Sequence, residues 1–377
     1  MINGCLCDII LNILFTYNIY RVIILKNLLV IFGGNSSEYE VSLRSAASVI
    51  RNIPRDKYKV LMLGITKSGE WRCFRGDVSL IENDAWCTKE LAFPAMLSVN
   101  PADKALLIFE SSLPSKIYID VVFPVLHGKN GEDGTIQGLL ELSEIPYVGC
   151  GVLSSAVCMD KAVTNALCDQ SGIRQAKWRL VKKYDFILDN VDIDKIVREL
   201  SLPIFVKPAN AGSSVGISKA SSKESVRDAL ALAFEHDSKV VLESAVVGRE
   251  LECAVMGNDE PLASCVGEIV PCNDFYDYKA KYIDDNSRLL IPSPLPEEIS
   301  EEIRKIAVDI YKYLDCSGLA RVDFFMSSDG EIYFNEINTI PGFTSISMYP
   351  KLFEEVKIPP RKLIEKLIEY AFEKKEN

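Results

Sequence analysis

Two short stretches in the C-terminal part of the chain carry oxygen-bearing side chains at a spacing that suits metal binding. Asp323 lies in Arg321-Val322-Asp323, and Glu336 and Asn338 lie in Asn335-Glu336-Ile337-Asn338. The sequence Ser-Ser-Asp-Gly at 327–330 predicts a hairpin turn between two strands. Because side chains alternate along a strand, pairing the strands would bring Asp323, Glu336 and Asn338 together. Two carboxylates and an amide oxygen suit Mg²⁺, with nucleotide phosphates completing the shell.

The competing interpretation of these side chains is a solvated face of a sheet. The residues around them, Phe324, Phe325, Tyr333 and Phe334, are those of a buried sheet. Isolated acids in such surroundings need partners, because burying an unpaired charge is costly. The flanking residues therefore favour the metal site.

A second stretch, Lys207-Pro208-Ala209-Asn210-Ala211-Gly212-Ser213-Ser214-Val215-Gly216, could hold phosphate. Small residues let backbone N–H groups approach phosphate oxygens, and Lys207 supplies positive charge. The spacing GxxxxGK[ST] is absent, so the stretch is not a Walker loop. Taken alone, it is more typical of a plain hairpin between two strands, which is the competing interpretation.

Three further stretches carry candidate functional groups. His127 opens the segment His-Gly-Lys-Asn-Gly-Glu-Asp-Gly directly after an apolar strand, where ligand-binding residues collect in α/β folds. Alone, a structural role for His127 is as well supported as a functional one. The stretch 275–282, Phe-Tyr-Asp-Tyr-Lys-Ala-Lys-Tyr, suits either an ordered surface loop or a lid that excludes water from a reactive intermediate. The Pro-Gly turn at 341–342 and Ser347 could hold a substrate carboxylate.

Strand and helix patterns alternate along the chain, which predicts a mixed α/β protein. Apolar runs predict strands, and apolar residues at helical spacing predict helices. The predicted strands are 28–32, 60–65, 120–126, 178–181, 204–207, 214–218, 240–243, 251–256, 262–270, 321–326 and 332–338. The predicted helices are 40–53, 154–170 with a cap at Ser154, 224–236, 296–314 and 363–372.

Composition restricts the class of protein. A length of 377 residues suits two or three packed subdomains. A formal net charge of -11 argues against a nucleic-acid partner, while a small anionic ligand can still be held by a few local lysines.

The 11 cysteines are scattered and lack zinc-binding spacing, so we expect reduced thiols in a cytoplasmic protein. Residues 1–25 are largely apolar, and we expect an extension of unknown role rather than a membrane anchor, the alternative.

Taken together, the motifs resemble the D-alanine–D-alanine ligase family. They occur in that family's order, from about Lys26 to the end of the chain. The matching stretches are GGNSSEYEVS at 33–42, HGKNGEDG at 127–134, MDK at 159–161, KPANAGSSVG at 207–216, FYDYKAKY at 275–282, RVD at 321–323, NEIN at 335–338 and PGFTS at 341–345. Each motif alone is moderately specific, and the series is highly specific.

The resemblance implies a three-domain ATP-grasp fold. The implied units are an N-terminal α/β substrate domain at 26–148, a central ATP-grasp subdomain at 149–247 and a C-terminal one at 248–377. It also implies ATP and two Mg²⁺ or Mn²⁺ ions as cofactors, a homodimer, a cytoplasmic location and no membrane partner.

The resemblance further assigns roles to individual residues. Glu38 matches the acid that holds the first D-alanine's ammonium, and Ser213 and Tyr282 match its hydrogen-bonded partners. His127 matches a histidine near that substrate, Lys281 a lid lysine that reaches the γ-phosphate, and Ser347 the serine that receives the second substrate's carboxylate. Arg321 and the backbone of Gly342 match the groups that stabilise the tetrahedral intermediate. The implied ATP-binding residues are Lys161, Lys207, Ser214, Glu243, Ser244, Ala245, Val246, Glu250 and Lys281. The implied metal ligands are Asp323, Glu336 and Asn338.

The identity of the second substrate depends on Met348. Several stretches also resemble the D-alanine–D-serine ligases of vancomycin resistance, which tend to carry arginine at this position. Because an apolar side chain cannot hydrogen-bond a serine hydroxyl, we expect D-alanine to be preferred. The other readings are a glutathione-synthetase-like peptide ligase and a nucleotide-binding module without catalysis. The first lacks the Glu38 segment and the lid, and the second should lack some of the lysine, arginine and metal-ligand residues that are present here.

Overall fold

The computed structural model describes residues 25–212, 215–270 and 288–376, which form three sheets and the helices around them. The strands are β1 Lys26–Gly33, β2 Tyr58–Ile65, β3 Trp71–Phe74, β4 Ala92–Leu97, β5 Ala105–Ile108, β6 Ser115–Tyr118, β7 Val121–Val125, β8 Trp178–Lys182, β9 Ile204–Pro208, β10 Ser218–Ala220, β11 Lys239–Ser244, β12 Gly248–Gly257, β13 Leu262–Val270, β14 Arg288–Leu290, β15 Gly318–Ser327 and β16 Ile332–Asn338. The helices are α1 Tyr39–Asn52, α2 Val78–Glu82, α3 Thr135–Leu142, α4 Val152–Met159, α5 Lys161–Ser171, α6 Lys183–Ile187, α7 Ile193–Leu200, α8 Lys223–Ala233, α9 Glu297–Tyr313, α10 Met348–Glu355 and α11 Pro360–Glu376.

The first sheet has the order β6-β5-β4-β3-β2-β1-β7, and β1 pairs in parallel with β2 and β7. Strand β1 is covered on both faces, which explains its continuous apolar run. Leu28, Val30 and Phe32 face one core, and Leu29 and Ile31 face another. The strand ends at Gly33, just before the segment that carries Glu38.

The second sheet, β10-β9-β11-β8, is antiparallel and is covered on one face by α7 and α8. Along β9, Ile204 and Val206 point into that core. Because side chains alternate, Phe205 and Lys207 point to the opposite face, where they line a cleft.

The third sheet, β14-β13-β12-β15-β16, faces the second sheet across this cleft. One of its faces packs on α9 through residues such as Val322 and Phe324. The other face is apolar at one end, where Leu319 belongs to the core that includes α10 and α11. Its remaining part carries Arg321 and Asp323, so α10 and α11 leave the polar part of this face open to the cleft.

Most predicted elements are confirmed, and two predictions are wrong. The single helix predicted for 154–170 is two helices, α4 and α5, because Asp160 ends the first and caps the second by accepting bonds from the N–H groups of Ala162 and Val163. Gly151, not Ser154, precedes α4. The strand predicted for 214–218 begins only at Ser218, because residues 215–216 form a turn in which Gly216 has a φ of 72°.

The eight cysteines in the described ranges are all free, and six of them are buried. Within the same ranges, every helix is too short or too polar to cross a membrane.

Residues 1–24, which the sequence predicts to be an extension, lie outside the described residues. Each sheet lies within one of the three predicted segments, and the domain boundaries stay predictions.

We predict that Gly64→Ala destabilises the first sheet. A Cβ atom at Gly64 would lie 2.3 Å from Cη2 of Trp86 and 2.9 Å from Cζ of Phe32, both fully buried. Overpacking of this kind should lower the free energy of unfolding by about 1–3 kcal/mol, as measured by urea denaturation. Gly138→Ala in α3 is the matched control, because its Cβ would meet no atom within 4 Å. Equal stability of the two variants would contradict the prediction.

Candidate active site

The predicted metal ligands come together at the junction of β15 and β16. Asp323 pairs directly with Glu336, and Arg321 pairs with Asn338. Asn338 Nδ2 donates a hydrogen bond to Asp323 Oδ2 at 3.0 Å. Asp323 is buried, while Glu336 and Asn338 are half-buried and line a cavity. The structure thus brings the three side chains together, and their role as metal ligands stays a prediction.

Arg321 lies among acidic side chains on the same face. Its Nε and one terminal nitrogen each donate to an oxygen of Asp323 at 2.7 Å. Glu252, on the adjacent strand β12, lies with Oε2 3.0 Å from Arg321 Nε. Glu252, Asp323 and Glu336 occupy one row across three strands, so three carboxylates are gathered on the face that carries Arg321. Carboxylates gathered in this way attract cations.

The donor set fits a hard divalent cation. Carboxylate oxygens of Asp323 and Glu336 and the amide oxygen of Asn338 are the ligand types that Mg²⁺ and Mn²⁺ prefer. Within 25–212, 215–270 and 288–376, no three histidine, cysteine or acidic side chains are grouped as a metal site. Asn338 and oxygens from a bound phosphate would therefore have to complete the shell.

Two lysines point toward the metal-ligand candidates from the central region. Lys161 begins α5, and its Nζ lies 3.0 Å from the carbonyl oxygen of Ala211 and 3.5 Å from Oε2 of Glu336. Lys207 is the penultimate residue of β9, and its Nζ donates to Oε2 of Glu243 at 2.6 Å. Both lysine side chains are 13% exposed, so they are fixed at the edge of the cleft where phosphate charge would need neutralising.

A cavity of about 460 Å³ opens between the second and third sheets. Phe205, Phe325 and Phe334 contribute apolar walls. The segment 243–246 and Glu250 line the same cavity, as the resemblance implies for an adenosine site. Glu336 lines both this cavity and the cavity that contains Arg321 and Glu38. A nucleotide here would therefore place its phosphates beside the acidic row.

Glu38 approaches the cleft from the first sheet, and two glycines allow that approach. It precedes α1 and is buried. A Cβ atom at Gly128 would lie 2.4 Å from its Oε2, and one at Gly212 would lie 2.5 Å away. Side chains at either position would displace the carboxylate, so the HGKNG and KPANAG motifs need glycine at these two places.

Glu132 is a site residue that the sequence analysis missed. Its Oε2 accepts a hydrogen bond from the N–H of Gly128 at 2.8 Å, and its Oε1 accepts one from Ile340 at 3.0 Å. Burial and, secondarily, the nearby charge of Glu38 raise its pKa. The carboxyl group ties the loop after β7 to the turn after β16. The available signal was an acid inside the HGKNGEDG motif, and its two partners could not be read from sequence.

His127 makes a second tie to the same turn. Its Nδ1 donates to the carbonyl oxygen of Ile340 at 2.9 Å, since a carbonyl can only accept. Its Nε2 then accepts from Ser45 Oγ at 3.1 Å, and Ser45 Oγ accepts from the N–H of Phe343 at 3.1 Å. Burial lowers the pKa of His127 to about 4, so the ring is neutral at neutral pH. Both ring nitrogens are engaged within the protein.

The turn after β16 carries the remaining described candidates. Ser347 Oγ accepts a hydrogen bond from the N–H of Thr344 at 3.0 Å. A Cβ atom at Gly342 would lie 2.7 Å from Ser347 Oγ, so glycine keeps this turn tight. Met348 is buried at the start of α10, and its sulfur would lie 2.9 Å from a Cβ atom at Gly267. Gly342, Ser347 and Met348 all line the cavity that contains Arg321.

Four predicted site residues lie outside the described residues. They are Ser213, Ser214, Lys281 and Tyr282. Their roles stay predictions.

Comparisons with protein families identify relatives over most of the chain. Residues 27–150 match the family model described as "D-ala D-ala ligase N-terminus", and residues 167–369 match "D-ala D-ala ligase C-terminus". The D-alanine–D-alanine ligase of Caldicellulosiruptor bescii is 51% identical over 92% of this chain and 94% of its own length. That of Acetivibrio thermocellus is 52% identical over 93% of this chain and 96% of its own length.

Solved structures give the same grouping. The VanG D-Ala:D-Ser ligase from Enterococcus faecalis is similar with a TM-score of 0.84 and 43% identity, covering 92% of this chain and 99% of that chain. The D-alanine–D-alanine ligase from Coxiella burnetii is similar with a TM-score of 0.81 and 32% identity, covering 93% of this chain and 96% of that chain.

We predict that His127 makes the protein sensitive to acid. Its folded pKa of about 4 lies below the ordinary value of 6.5, so the folded state binds fewer protons than the unfolded state between these values. The stability that neutral His127 contributes is full above pH 6.5 and is lost as the pH falls towards 4. Denaturation at several pH values should show wild type losing roughly 1–3 kcal/mol more than His127→Gln over this range.

Glutamine is chosen because its amide offers one donor and one acceptor, as the neutral ring does. The control is His236→Gln, which changes an exposed histidine three residues after the end of α8. That variant should lose stability on acidification as wild type does. An unchanged pH dependence in His127→Gln would refute the prediction.

Proposed function

The chain belongs to the D-alanine–D-alanine ligase family, and we propose that it uses ATP to join two D-alanines into D-alanyl-D-alanine, releasing ADP and phosphate. It has the mixed α/β ATP-grasp fold of that family. The observation that carries the proposal is the position of Glu336. It lines both the nucleotide-sized cavity and the cavity in which Glu38 and Arg321 lie, so a phosphate and a carboxylate substrate can meet beside it.

We propose that Asp323, Glu336 and Asn338 hold two divalent ions, Mg²⁺ or Mn²⁺, together with ATP phosphates. When bound, such ions supply positive charge that offsets the charge on the transferring phosphoryl group. We assign Lys161 and Lys207 to the ATP phosphates, whose negative charge their ammonium groups would also offset. Each ammonium group is held at the cleft by an acid, Glu336 for Lys161 and Glu243 for Lys207. Glu243, Ser244, Ala245, Val246 and Glu250 line the cavity proposed for adenosine.

In the first step, the carboxylate of the first D-alanine attacks the γ-phosphorus of ATP and ADP leaves. We assign Glu38 to the substrate's ammonium, because its carboxylate is buried and faces the cavity. Charge pairing there orients the substrate carboxylate toward the phosphates. Glu132 and His127 hold the surrounding loops through Gly128 and Ile340, and His127 acts on the first substrate's pocket through that positioning.

In the second step, the amine of the second D-alanine attacks the acyl phosphate and phosphate departs. The oxygen of the tetrahedral intermediate gains negative charge. Arg321 is the guanidinium available to it among the described residues that line this cavity, and the backbone of Gly342 lies at the same cavity. We assign Ser347 to the second substrate's carboxylate because its hydroxyl lies on the adjoining turn.

D-alanine is the proposed second substrate, and D-serine is the alternative. Met348 supports D-alanine, because its buried thioether offers no strong hydrogen bond to a serine hydroxyl. The relatives named D-alanine–D-alanine ligase are also more similar in sequence, at 51–52% identity, than the VanG D-Ala:D-Ser ligase, at 43%. The VanG similarity nevertheless keeps D-serine as the activity to test. By resemblance to the family, we further propose a cytoplasmic homodimer.

The activity can be tested by product mass and phosphate release. Purified protein with ATP, Mg²⁺ and D-alanine should release phosphate in step with the dipeptide D-alanyl-D-alanine. With equal D-alanine and D-serine at neutral pH, the D-alanine dipeptide should predominate. Asp323→Asn should reduce the rate by ~10²-fold or more, since it removes a charge from the proposed metal site. Faster formation of D-alanyl-D-serine would overturn the choice of second substrate.

We also predict that Gly212→Ala impairs binding of the first D-alanine. The new Cβ would lie 2.5 Å from Glu38 Oε2, and the end of a glutamate side chain can move away. The cost should therefore fall on substrate binding more than on folding. Steady-state kinetics should show KM for D-alanine rising ~10-fold or more, equivalent to about 1.4 kcal/mol, with an unchanged melting temperature. Gly138→Ala serves again as the control, and equal KM values in both variants would refute the assignment of Glu38.

A further inference from the structure

Glu252 is a buried acid that faces the site and has no part in the steps above. It lies on β12 opposite Asp323, which is itself opposite Glu336 on β16. Its side chain is 5% exposed, less than the 15% of Arg321. It lines the same cavity as Arg321 and Glu38. A carboxylate held this deeply needs compensating partners, and Arg321 is one of them, with its Nε 3.0 Å from Glu252 Oε2.

Arg321 has only one hydrogen on Nε, and two carboxylates compete for it. In this structure the Nε–H is donated to Asp323 Oδ1 at 2.7 Å, while Asp323 Oδ2 takes the second bond at the same distance. Glu252 Oε2 lies at ion-pair distance from the same Nε. Arg321 therefore has two alternative anchors, one on its own strand and one on the neighbouring strand.

The two carboxylates that can hold Arg321, Asp323 and Glu252, differ in whether they have a second proposed function. Asp323 is a proposed metal ligand, and an oxygen used for a divalent cation is less available to a guanidinium. Glu252 has no such second task, because the proposed ligand set consists of residues on β15 and β16. The carboxylate on β12 can thus retain Arg321 at a fixed place whatever Asp323 binds.

We propose that Glu252 is a positioning residue that holds Arg321 for the ligation reaction. When Glu252 accepts the Nε–H in place of Asp323, the terminal nitrogens of Arg321 stay directed at the cavity, where the tetrahedral intermediate forms. The inference rests on the proposed function and adds to it a residue that acts through Arg321. Glu252 acts on the transition state and not on the binding of ATP.

The test compares Glu252→Ala and Glu252→Gln with wild type. Removing the acceptor frees Arg321 to shift, and misplacement by about 1 Å can reduce a rate ~10²-fold. Glu252→Ala should therefore lower kcat for dipeptide formation by ~10–100-fold, with KM for ATP within about threefold of wild type. Glu252→Gln keeps an acceptor oxygen and should retain more of kcat than Glu252→Ala. Glu82→Gln, which removes the charge of an exposed acid paired with Arg51, should leave kcat unchanged.

Two further measurements separate positioning from other roles. Binding of Mn²⁺ with ADP, followed by electron paramagnetic resonance, should be within about threefold of wild type in both variants, because Glu252 is not a ligand. A double-mutant cycle with Arg321→Lys should be non-additive, since Glu252→Ala can lose little once the guanidinium is gone. Melting temperatures identify any variant that is not folded, in which case Glu252→Gln decides the outcome.

The outcomes are distinct. If folded Glu252→Ala and Glu252→Gln both keep kcat within twofold of wild type, the inference is wrong. Additive effects with Arg321→Lys, or a loss of Mn²⁺ binding parallel to the loss of kcat, would also overturn it. If wild type itself makes no dipeptide from D-alanine and ATP, the proposed function fails, and that result is recognised before any variant is compared.

Discussion

The structure depends on a row of carboxylates that crosses three neighbouring strands. Glu252, Asp323 and Glu336 lie in one row because Asp323 on β15 pairs with Glu252 on β12 and with Glu336 on β16, where the β15–β16 register shifts after Asp323. Arg321 and Lys161 lie beside these carboxylates. Buried carboxylates are stabilised by nearby cations. The row therefore suits a divalent ion and the nucleotide that would accompany it.

The first sheet reaches this row through a small number of directed contacts at the turn after β16. Ile340 donates its N–H to Glu132 and accepts a bond from His127, so both polar groups of one residue are held by the loop after β7. Glu38 approaches from the same side between Gly128 and Gly212. A substrate held by Glu38 would consequently be placed relative to the phosphates by the contacts that fix these loops.

The pocket proposed for the second substrate is built on packing instead of on charge. Met348 starts α10 and fits beneath strand β13 because residue 267 is glycine. Its neighbours Tyr349, Leu352 and Phe353 belong to a core shared with the first sheet. A polar residue at 348 would have to find a partner in that apolar setting. The proposed selectivity for a methyl group over a hydroxymethyl group would thus follow from the core as much as from the pocket.

The sequence by itself determined the alternating α/β pattern, most strands near the site and the set of acids, lysines and glycines, because period and residue type are local properties. It placed Asp323, Glu336 and Asn338 together, since one hairpin joins their strands. Only the tertiary structure decided that Glu132 bonds Ile340 across 208 positions, that Glu252 lies against Arg321, and that Asp160 divides a helix predicted as continuous. The first two contacts join segments that are distant in the chain, and the third depends on one capping side chain. Such contacts leave no periodic pattern in the sequence.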